Sequence, residues 1–295
     1  MEHERGSALT LPDRRTLAFA ELADRTGPPV LVLDGPGSRG LARAAAATGA
    51  ADGLRLIAPD RPGFGASTSV ARIDHAAFAA DLVALLDHLG VDATGVVAQS
   101  GGTPFALALA ASRPDRVRRL SLLGGFAPVQ RSSDLDGVAR SAKSGFRLAR
   151  RAPWLLRVIL GRMAAGARKD PGEAARKVVR DAPAADRAAL GDPALWAIHE
   201  RSTAEVLSRP DALVGEMRAL VGPWDLDLGT IRAPVCLWTG DRDTTHPPAM
   251  ARRLAARLPD AEARVVPGAM TFGLVPVYAE ALRFAADYSP APTNT

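Results

Sequence analysis

The sequence predicts an α/β fold in which a mostly parallel sheet is flanked by helices and carries an inserted helical cap. Short apolar runs alternate along the chain with segments of helical periodicity, which is the pattern of a parallel sheet covered by helices. The alternation stops after Phe126 and returns near Ile231. Within the first part, one apolar run leads through Ser100 directly into a helical pattern. These three observations predict the fold class.

Six apolar runs are short enough to be buried strands rather than helices. They are Val30–Leu33, Leu54–Ala58, Gly95–Ala98, Leu120–Leu123, Val235–Trp238 and Ala263–Val266. Four segments with apolar residues at helical spacing lie among them: Ala76–Leu89, Thr103–Ser112, Ala249–Leu258 and Val275–Ala286. The connections are a few residues long, as βα units require.

We therefore predict a core formed by residues 1–126 and 231–295, with residues 127–230 as the cap. The cap contains a basic run, from Arg140 to Lys169, that surrounds apolar residues such as Trp154. Such a run is compatible with an amphipathic helix on a membrane surface. The favoured interpretation is that its apolar residues cover an active-site mouth while the arginines face water.

Composition limits the partners. The 295 residues carry a net charge of +5, but acidic residues occur among the basic ones, so we expect no nucleic-acid partner. No apolar segment is long enough to span a bilayer and the first residues are charged, so we expect a cytoplasmic protein without a membrane partner. Cys236 is the sole cysteine, and no metal-ligand cluster or dinucleotide motif occurs, so no metal or cofactor is expected. A homodimer is left open.

The run GVVAQSGGTPFALALA is the most informative segment for function. Its apolar strand reaches Ser100, which has Ala98 and Gly102 two residues away on either side, and a helical pattern follows. This is the pattern of a nucleophile elbow, a strained strand-to-helix turn that only small neighbours permit. Such a turn presents the serine hydroxyl above the sheet at a helix N-terminus.

Around this elbow the chain resembles the α/β-hydrolase fold superfamily of the capped, serine-nucleophile type. The segments VLVLDGPGSRG, APDRPGFGAST, AQSGGTPFALALAASRPDRV, GDRD and VVPGAMTFGL stand in the order and spacing of that family, over residues 13–126 and 231–287. The resemblance implies that Ser100 is the nucleophile and Asp243 the acid of a catalytic triad. It also implies that the backbone N–H of Gly101 donates to the oxyanion.

Where the family has its catalytic histidine, this chain has Thr271. A threonine hydroxyl does not accept a proton near neutral pH, and loss of the triad histidine in subtilisin costs about 10⁶ in kcat. We therefore expect a degenerate triad and severely impaired ester hydrolysis. His246, three residues after Asp243, is the best candidate for a relocated base. The alternative is that His246 fills an apolar position and packs under the following helix.

The loop after the first predicted core strand, Asp34-Gly35-Pro36-Gly37, is one residue shorter than the family's loop at this place. If Asp34 takes the place of the family's histidine, Pro36 falls where the second oxyanion N–H is donated, and proline has none. If the gap lies on the other side, Gly35 supplies that donor. Both alignments remain open from the sequence.

Asp34 itself has two interpretations. Together with Asp243 it would place two carboxylates in one pocket, where repulsion raises one pKa and suits that group to proton transfer. Alternatively, Asp34 caps a turn or pairs with Arg39 or Arg61.

Three functions follow from these features. The first is cofactor-free, non-hydrolytic chemistry on a small natural-product-like molecule, such as a cyclase reaction, an elimination or intramolecular C–C bond formation. The second is hydrolysis of a small ester or lactone with His246 as base, and the third is a catalytically inactive binding protein. The substrate is expected to be apolar or aromatic, with Gly35 and Thr271 beside it and Trp154 and Trp196 as further candidate contacts.

Overall fold

The computed structural model describes residues 4–37, 39–129 and 131–286, and in this part of the chain it contains eight strands and eleven α-helices. The strands are β1 (Arg5–Thr10), β2 (Thr16–Ala23), β3 (Pro29–Leu33), β4 (Arg55–Pro59), β5 (Thr94–Gln99), β6 (Val117–Leu123), β7 (Val235–Gly240) and β8 (Ala261–Val266). The helices are α1 (Gly40–Ala47), α2 (His75–His88), α3 (Thr103–Ser112), α4 (Arg140–Arg151), α5 (Pro153–Lys169), α6 (Pro171–Val178), α7 (Ala184–Ala189), α8 (Pro193–Leu207), α9 (Pro210–Val221), α10 (Pro248–Ala255) and α11 (Tyr278–Ala286).

All described strands belong to one sheet in the order β1-β2-β4-β3-β5-β6-β7-β8. From β4 to β8 every neighbouring pair is parallel, whereas β2 is antiparallel to both β1 and β4. The predicted fold class, a mostly parallel sheet flanked by helices, is therefore confirmed. All carboxyl ends of the parallel strands meet at one edge of the sheet, where ligands bind in open α/β folds.

The antiparallel hairpin of β1 and β2 was not predicted. The first strand has the sequence RGSALT, and its exposed positions give it little apolar alternation. The second reads TLAFAELA, a mixture of good helix formers, yet six of its eight residues are buried between β1 and β4. Pairing of β2 with its two neighbouring strands, which the local sequence does not encode, outweighs the helix propensity of its residues.

Two apolar layers cover the two faces of the sheet. On one face α2, α3 and α10 bury residues such as Phe78, Phe105 and Leu254. On the other, α1 and α11 bury residues such as Leu41 and Leu282. The helices α2, α3 and α10 were predicted within a few residues of their bounds. The predicted last helix begins instead as a 3-10 segment, Phe272–Val277, that continues into α11.

Six helices, α4 to α9, lie between β6 and β7 in the described chain. Four of them begin with a proline, because the first helical position needs no intrahelical N–H partner: Pro153, Pro171, Pro193 and Pro210. The prolines that interrupt this region of the sequence therefore mark helix starts. In this insertion, α8 packs on α1 and α7 packs on the segment Phe272–Val277. None of the described helices has the length and apolarity needed to cross a bilayer.

Candidate active site

Ser100 lies at the carboxyl end of the buried strand β5 and begins a short 3-10 turn that leads into α3. Its φ of +48° is left-handed, a conformation that costs energy for a non-glycine residue. A side chain at Gly102 would meet the carbonyl oxygen of Leu33 at 2.1 Å, so only glycine fits there. The predicted strand, strained serine and small neighbour are all found at this turn.

The hydroxyl of Ser100 faces the imidazole of His246. Ser100 Oγ lies 2.9 Å from His246 Nε2, and His246 Nδ1 lies 3.2 Å from Asp243 Oδ2. The carboxylate favours the tautomer with its proton on Nδ1, which leaves Nε2 free to accept the serine proton. The His246 side chain is buried, and its ring packs edge-on against Phe126. Ser100, His246 and Asp243 therefore have the contacts of a serine–histidine–carboxylate triad.

The turn after β7 fixes both the acid and the base. Asp243 Oδ1 accepts hydrogen bonds from the backbone N–H groups of Thr245 and His246, both at 2.7 Å. The hydroxyl of Thr239 donates to the carbonyl of His246 at 3.0 Å. Burial raises the pKa of Asp243, but the His246 ring and the two N–H donors outweigh it, so that pKa lies below its ordinary value. Asp243 is thus held as the carboxylate that orients His246.

Thr271 lies on the loop after β8 and faces the same cavity as Ser100. The buried carboxylate of Asp186, in α7, holds this loop from the cap side. It accepts hydrogen bonds from the N–H of Met270 at 2.8 Å and from that of Phe272 at 2.6 Å. The loop after β8 therefore carries Thr271, and Asp186 of α7 fixes its backbone on both sides of that residue.

The buried side chain of Asp34 binds backbone rather than a second carboxylate. Its Oδ1 accepts from the N–H of Gly35 at 2.6 Å, and its Oδ2 accepts from the N–H of Leu41, in the first turn of α1, at 2.9 Å. The proton-sharing pair of Asp34 and Asp243 stays a hypothesis, because these contacts join Asp34 to backbone amides. The alternative of a turn-capping Asp34 agrees with them.

The two arginines proposed as partners of the Asp34 carboxylate bind elsewhere. Arg39 forms an ion pair with Asp60 at 2.7 Å. Arg61 is almost fully buried, forms an ion pair with Glu216 and donates to the carbonyl oxygen of Asp34 at 2.9 Å. Arg61 therefore positions the backbone of the loop that follows β3.

Amide donors for an oxyanion are limited in this loop. The N–H of Gly35 donates to Asp34, and Pro36 has none. Pro36 packs next to Gly101, with its Cδ 3.8 Å from where a Gly101 side chain would begin. The sequence placed either Gly35 or Pro36 at the second oxyanion position. The N–H of Gly35 already binds Asp34 and Pro36 has no N–H, so neither residue has an N–H left for an oxyanion. The remaining candidate donor is the N–H of Gly101, which the resemblance implies.

A cavity of about 520 Å³ opens above Ser100 and His246. Core loops and cap helices line it together, with Asp34, Gly35 and Thr271 among the lining residues. Further apolar lining residues come from the cap and the β8 loop: Leu195, Ile198, Val206, Leu207, Met270 and Phe272. This volume is typical of small-molecule sites.

Neither Trp154 nor Trp196 belongs to the lining of this cavity. Trp154 is 70% exposed on α5, and Trp196 packs its ring edge-on against His199. An aromatic residue in a cap sequence does not reveal which side of its helix faces the core, which explains this difference from the prediction.

Among the lining residues that were not identified from the sequence are Asp186, Ser202 and Tyr278. Asp186 binds the β8 loop, and Ser202 Oγ is buried without a hydrogen-bond partner among the described residues. Burial raises the pKa of the Tyr278 hydroxyl, which is also hydrogen-bonded to Gln99. None of these residues belongs to a motif, so no sequence signal identifies them. Across the described residues, no group of three or more His, Cys, Asp or Glu side chains is arranged to hold a metal.

Comparison with known proteins gives several partial matches and one long match. The chain is 33% identical over 106 residues to a haloalkane dehalogenase of Mycolicibacterium paratuberculosis, covering 35% of each chain. It is 43% identical over 72 residues to a 2-hydroxymuconate semialdehyde hydrolase of Pseudomonas putida, covering 26% of that protein. These matches thus span about a third and a quarter of those relatives. RutD of a Caulobacter strain is 30% identical over 225 residues, with 72% of each chain covered.

Solved structures share the whole fold at low sequence identity. A hydrolase from Pseudomonas aeruginosa superimposes with a TM-score of 0.67 at 20% identity, covering 95% of this chain and 97% of its own. An enol-lactonase from Burkholderia xenovorans gives a TM-score of 0.68 at 16% identity, covering 95% of this chain and 98% of its own. The family model for the alpha/beta hydrolase fold matches residues 28–274. The chain therefore belongs to the α/β-hydrolase fold family.

Proposed function

We propose that the chain is a serine hydrolase of a small ester or lactone whose base has moved to the turn after β7. Ser100 is the nucleophile, His246 the general base, and Asp243 the carboxylate that orients the imidazole. The contact of 2.9 Å between Ser100 Oγ and His246 Nε2 carries this proposal. The absence of a base at Thr271 impairs hydrolysis only if no other base reaches Ser100, and His246 is within hydrogen-bond distance of it.

The reaction would follow the two-step chemistry of serine hydrolases. Ser100 Oγ attacks the acyl carbon while its proton moves to His246 Nε2, and Asp243 stabilises the imidazolium that forms. The imidazolium returns this proton to the leaving alkoxide, and the acyl group remains bonded to Ser100. His246 then takes a proton from water, which attacks the acyl carbon and releases the acid and the serine hydroxyl.

A fluorophosphonate tests the proposal by reporting an activated serine. Intact mass should show rapid addition of one phosphonyl group to the native protein and none to Ser100→Ala. His246→Ala should label at least 10³-fold more slowly, because the base is lost. Thr271→Ala is the matched control, because it changes the same cavity but should label at the native rate. Equal labelling of native protein and His246→Ala would contradict the assignment of the base.

A second function, cofactor-free non-hydrolytic chemistry such as cyclisation, elimination or intramolecular C–C bond formation, is favoured by the loop after β3. The amide of Gly35 donates to Asp34, and Pro36 has no N–H. Loss of one oxyanion donor typically costs about 10²–10³ in the rate of acyl transfer. The same loop contributes the carboxylate of Asp34 to the cavity lining, in addition to its hydrogen bonds with the amides of Gly35 and Leu41. The substrate would then be a small natural-product-like molecule.

Asp34→Asn separates the two functions. In a hydrolase the substitution should preserve turnover in the folded protein, since no proton transfer is assigned to Asp34 there. It should lower stability, because the amide oxygen can replace only one of the two carboxylate oxygens that accept from Gly35 and Leu41. In non-hydrolytic chemistry with Asp34 as the base, it should abolish turnover. Reactions in ¹⁸O-labelled water give an independent readout, because hydrolysis adds the label to the product. Ligand binding without turnover or serine labelling would identify an inactive binding protein.

A further inference from the structure

The positive charge of this protein is concentrated in one part of the cap. Between Asp136 and Asp170 the chain carries nine arginine and lysine residues and no aspartate or glutamate. This stretch contains α4 and α5. Because the whole chain has a net charge of +5, the remainder is net negative. The net positive charge of the protein therefore comes from this one stretch of the sequence.

The helix α5 turns a row of large apolar side chains to the outside. Its buried positions are Leu156, Leu160, Ala164 and Ala167, at the spacing of one helix face. Trp154 is 70% exposed, Val158 and Met163 are each 46% exposed, and Ile159 is 38% exposed. The interpretation that the apolar residues of this run cover the active-site mouth is therefore wrong for these four side chains.

Basic side chains share this outer face. Arg162 follows Trp154 and Val158 at intervals of four residues, so the three lie in one row along the helix. Of the nine basic residues between Asp136 and Asp170, Arg157 forms an ion pair, with Asp211, and the others have no carboxylate partner within 4.0 Å in the described chain. The surface thus combines exposed apolar groups with unneutralised positive charge.

We propose that this outer face of α5, with its row of Trp154, Val158 and Arg162, docks on an anionic lipid surface. In such a complex the tryptophan and aliphatic side chains enter the headgroup region, while arginines bind lipid phosphates. A second copy of the chain fits less well, because two strongly basic faces repel. Nucleic acid would neutralise the arginines but would leave Val158, Ile159 and Met163 without an apolar partner.

The helices that pack on either side of α5 also contribute to the cavity above Ser100. Both α4 and α6 pack against α5, and each supplies a residue to the cavity lining, Ser141 and Val178 respectively. Val178 is itself 55% exposed, so an apolar side chain stands at the cavity rim. Docking through α5 would bring a lipid surface to the helices that border the site.

Flotation of the full-length protein with vesicles tests the docking without any substrate. Vesicles of phosphatidylcholine mixed with phosphatidylglycerol should bind the protein, vesicles of phosphatidylcholine alone should bind it much more weakly, and salt should reduce binding. The double variant Trp154→Ser/Val158→Ser should bind at least tenfold more weakly. Val265→Ser is the matched control, because Val265 is also 46% exposed but lies on β8. It should bind like the native protein.

A charge variant tests the electrostatic part. Arg162→Gln/Lys169→Gln should weaken binding by about 30-fold, since each basic residue near an anionic surface contributes on the order of 1 kcal/mol. Arg118→Gln/Arg232→Gln, at exposed positions outside the cap, should have no comparable effect. Equal binding to both vesicle types, equal losses in the control variants, or a dimer in solution that Trp154→Ser/Val158→Ser dissociates would each overturn the proposal. Since the changed residues are exposed, the melting temperature should stay the same.

Discussion

The loops after β7 and β8 lie side by side at the same edge of the sheet but differ in what they contribute. The β7 loop carries Asp243 and His246, and the latter contacts Ser100. The β8 loop carries Thr271 and is fixed by the cap residue Asp186. The first loop therefore presents two ionisable groups next to Ser100, and the second forms part of the cavity wall.

This difference shows that a triad depends on spatial position rather than on chain order. The strands β7 and β8 are neighbours, and their loops are joined by a hydrogen bond of 3.0 Å from the N–H of Arg242 to the carbonyl of Ala269. Residues of both loops therefore line the same cavity as Ser100. Here a turn of three residues from Asp243 to His246 brings the imidazole to the serine.

The largest effect should come from removing the base on the β7 loop. His246→Ala should lower kcat for ester hydrolysis by about 10⁶, as loss of the triad histidine does in subtilisin. Thr271→Ala, on the β8 loop, should change kcat by less than about fivefold, because no proton transfer is assigned to it. Steady-state kinetics on a panel of small esters measures both. Similar losses in the two variants would remove the distinction between the loops.

The next effect concerns the orientation of the base. Asp243→Asn should lower kcat by about 10⁴, as the corresponding change does in a serine protease triad, because the amide no longer selects the Nδ1–H tautomer. The Asn side-chain oxygen can still accept the N–H groups of Thr245 and His246, so the turn should keep its shape. The pH profile of kcat/KM and the circular dichroism spectrum together separate an altered base from a disrupted fold.

Asp186→Ala tests the structural role assigned to the β8 loop. The substitution leaves the N–H groups of Met270 and Phe272 without their acceptor, which should lower the free energy of unfolding by about 2–5 kcal/mol. Urea denaturation measures this loss. Serine labelling by a fluorophosphonate should persist in the folded variant at a rate close to native. Loss of labelling at full stability would instead indicate that the β8 loop contributes to the chemistry.

Protonation of a second buried histidine, His75, also makes the protein sensitive to pH. Its effect on stability must be measured before a pH profile of activity is assigned to His246. His75 is buried against the rings of Phe105 and Trp224, and burial lowers its pKa from 6.5 to about 4, despite the opposing effect of Asp74 and Asp225. Its contribution to stability is fully present above pH 6.5. It is lost as the pH falls from there towards 4, since the unfolded chain takes up the proton first.

At pH 4 the free energy of unfolding should be about 3 kcal/mol lower than above pH 6.5 because of His75. His75→Leu should be about as stable as the native protein at pH 7, because Nε2 of His75 has no hydrogen-bond partner among the described residues. It should lose less stability than the native protein between pH 6.5 and 4. Urea denaturation across this range measures the difference, and identical pH dependence in both proteins would contradict the assignment.

The local sequence was sufficient where structure depends on a short pattern. The buried strands of the parallel part of the sheet, and helices such as α3, follow from apolar periodicity, and the elbow at Ser100 follows from a strand, small neighbours and a helix in succession. The resemblance also singled out Asp243, and the spacing to His246 made that histidine a candidate for the base. The strands, the helices and the elbow each depend on residues that are close together in the sequence.

The tertiary structure was needed wherever two distant segments had to meet. It decided that His246 reaches Ser100, 146 positions earlier in the chain, rather than packing under α10. It also decided that Asp34 binds the amides of Gly35 and Leu41 and that Asp186 holds the β8 loop. Side-chain direction and contact across the sheet edge set these interactions, and no local propensity encodes them.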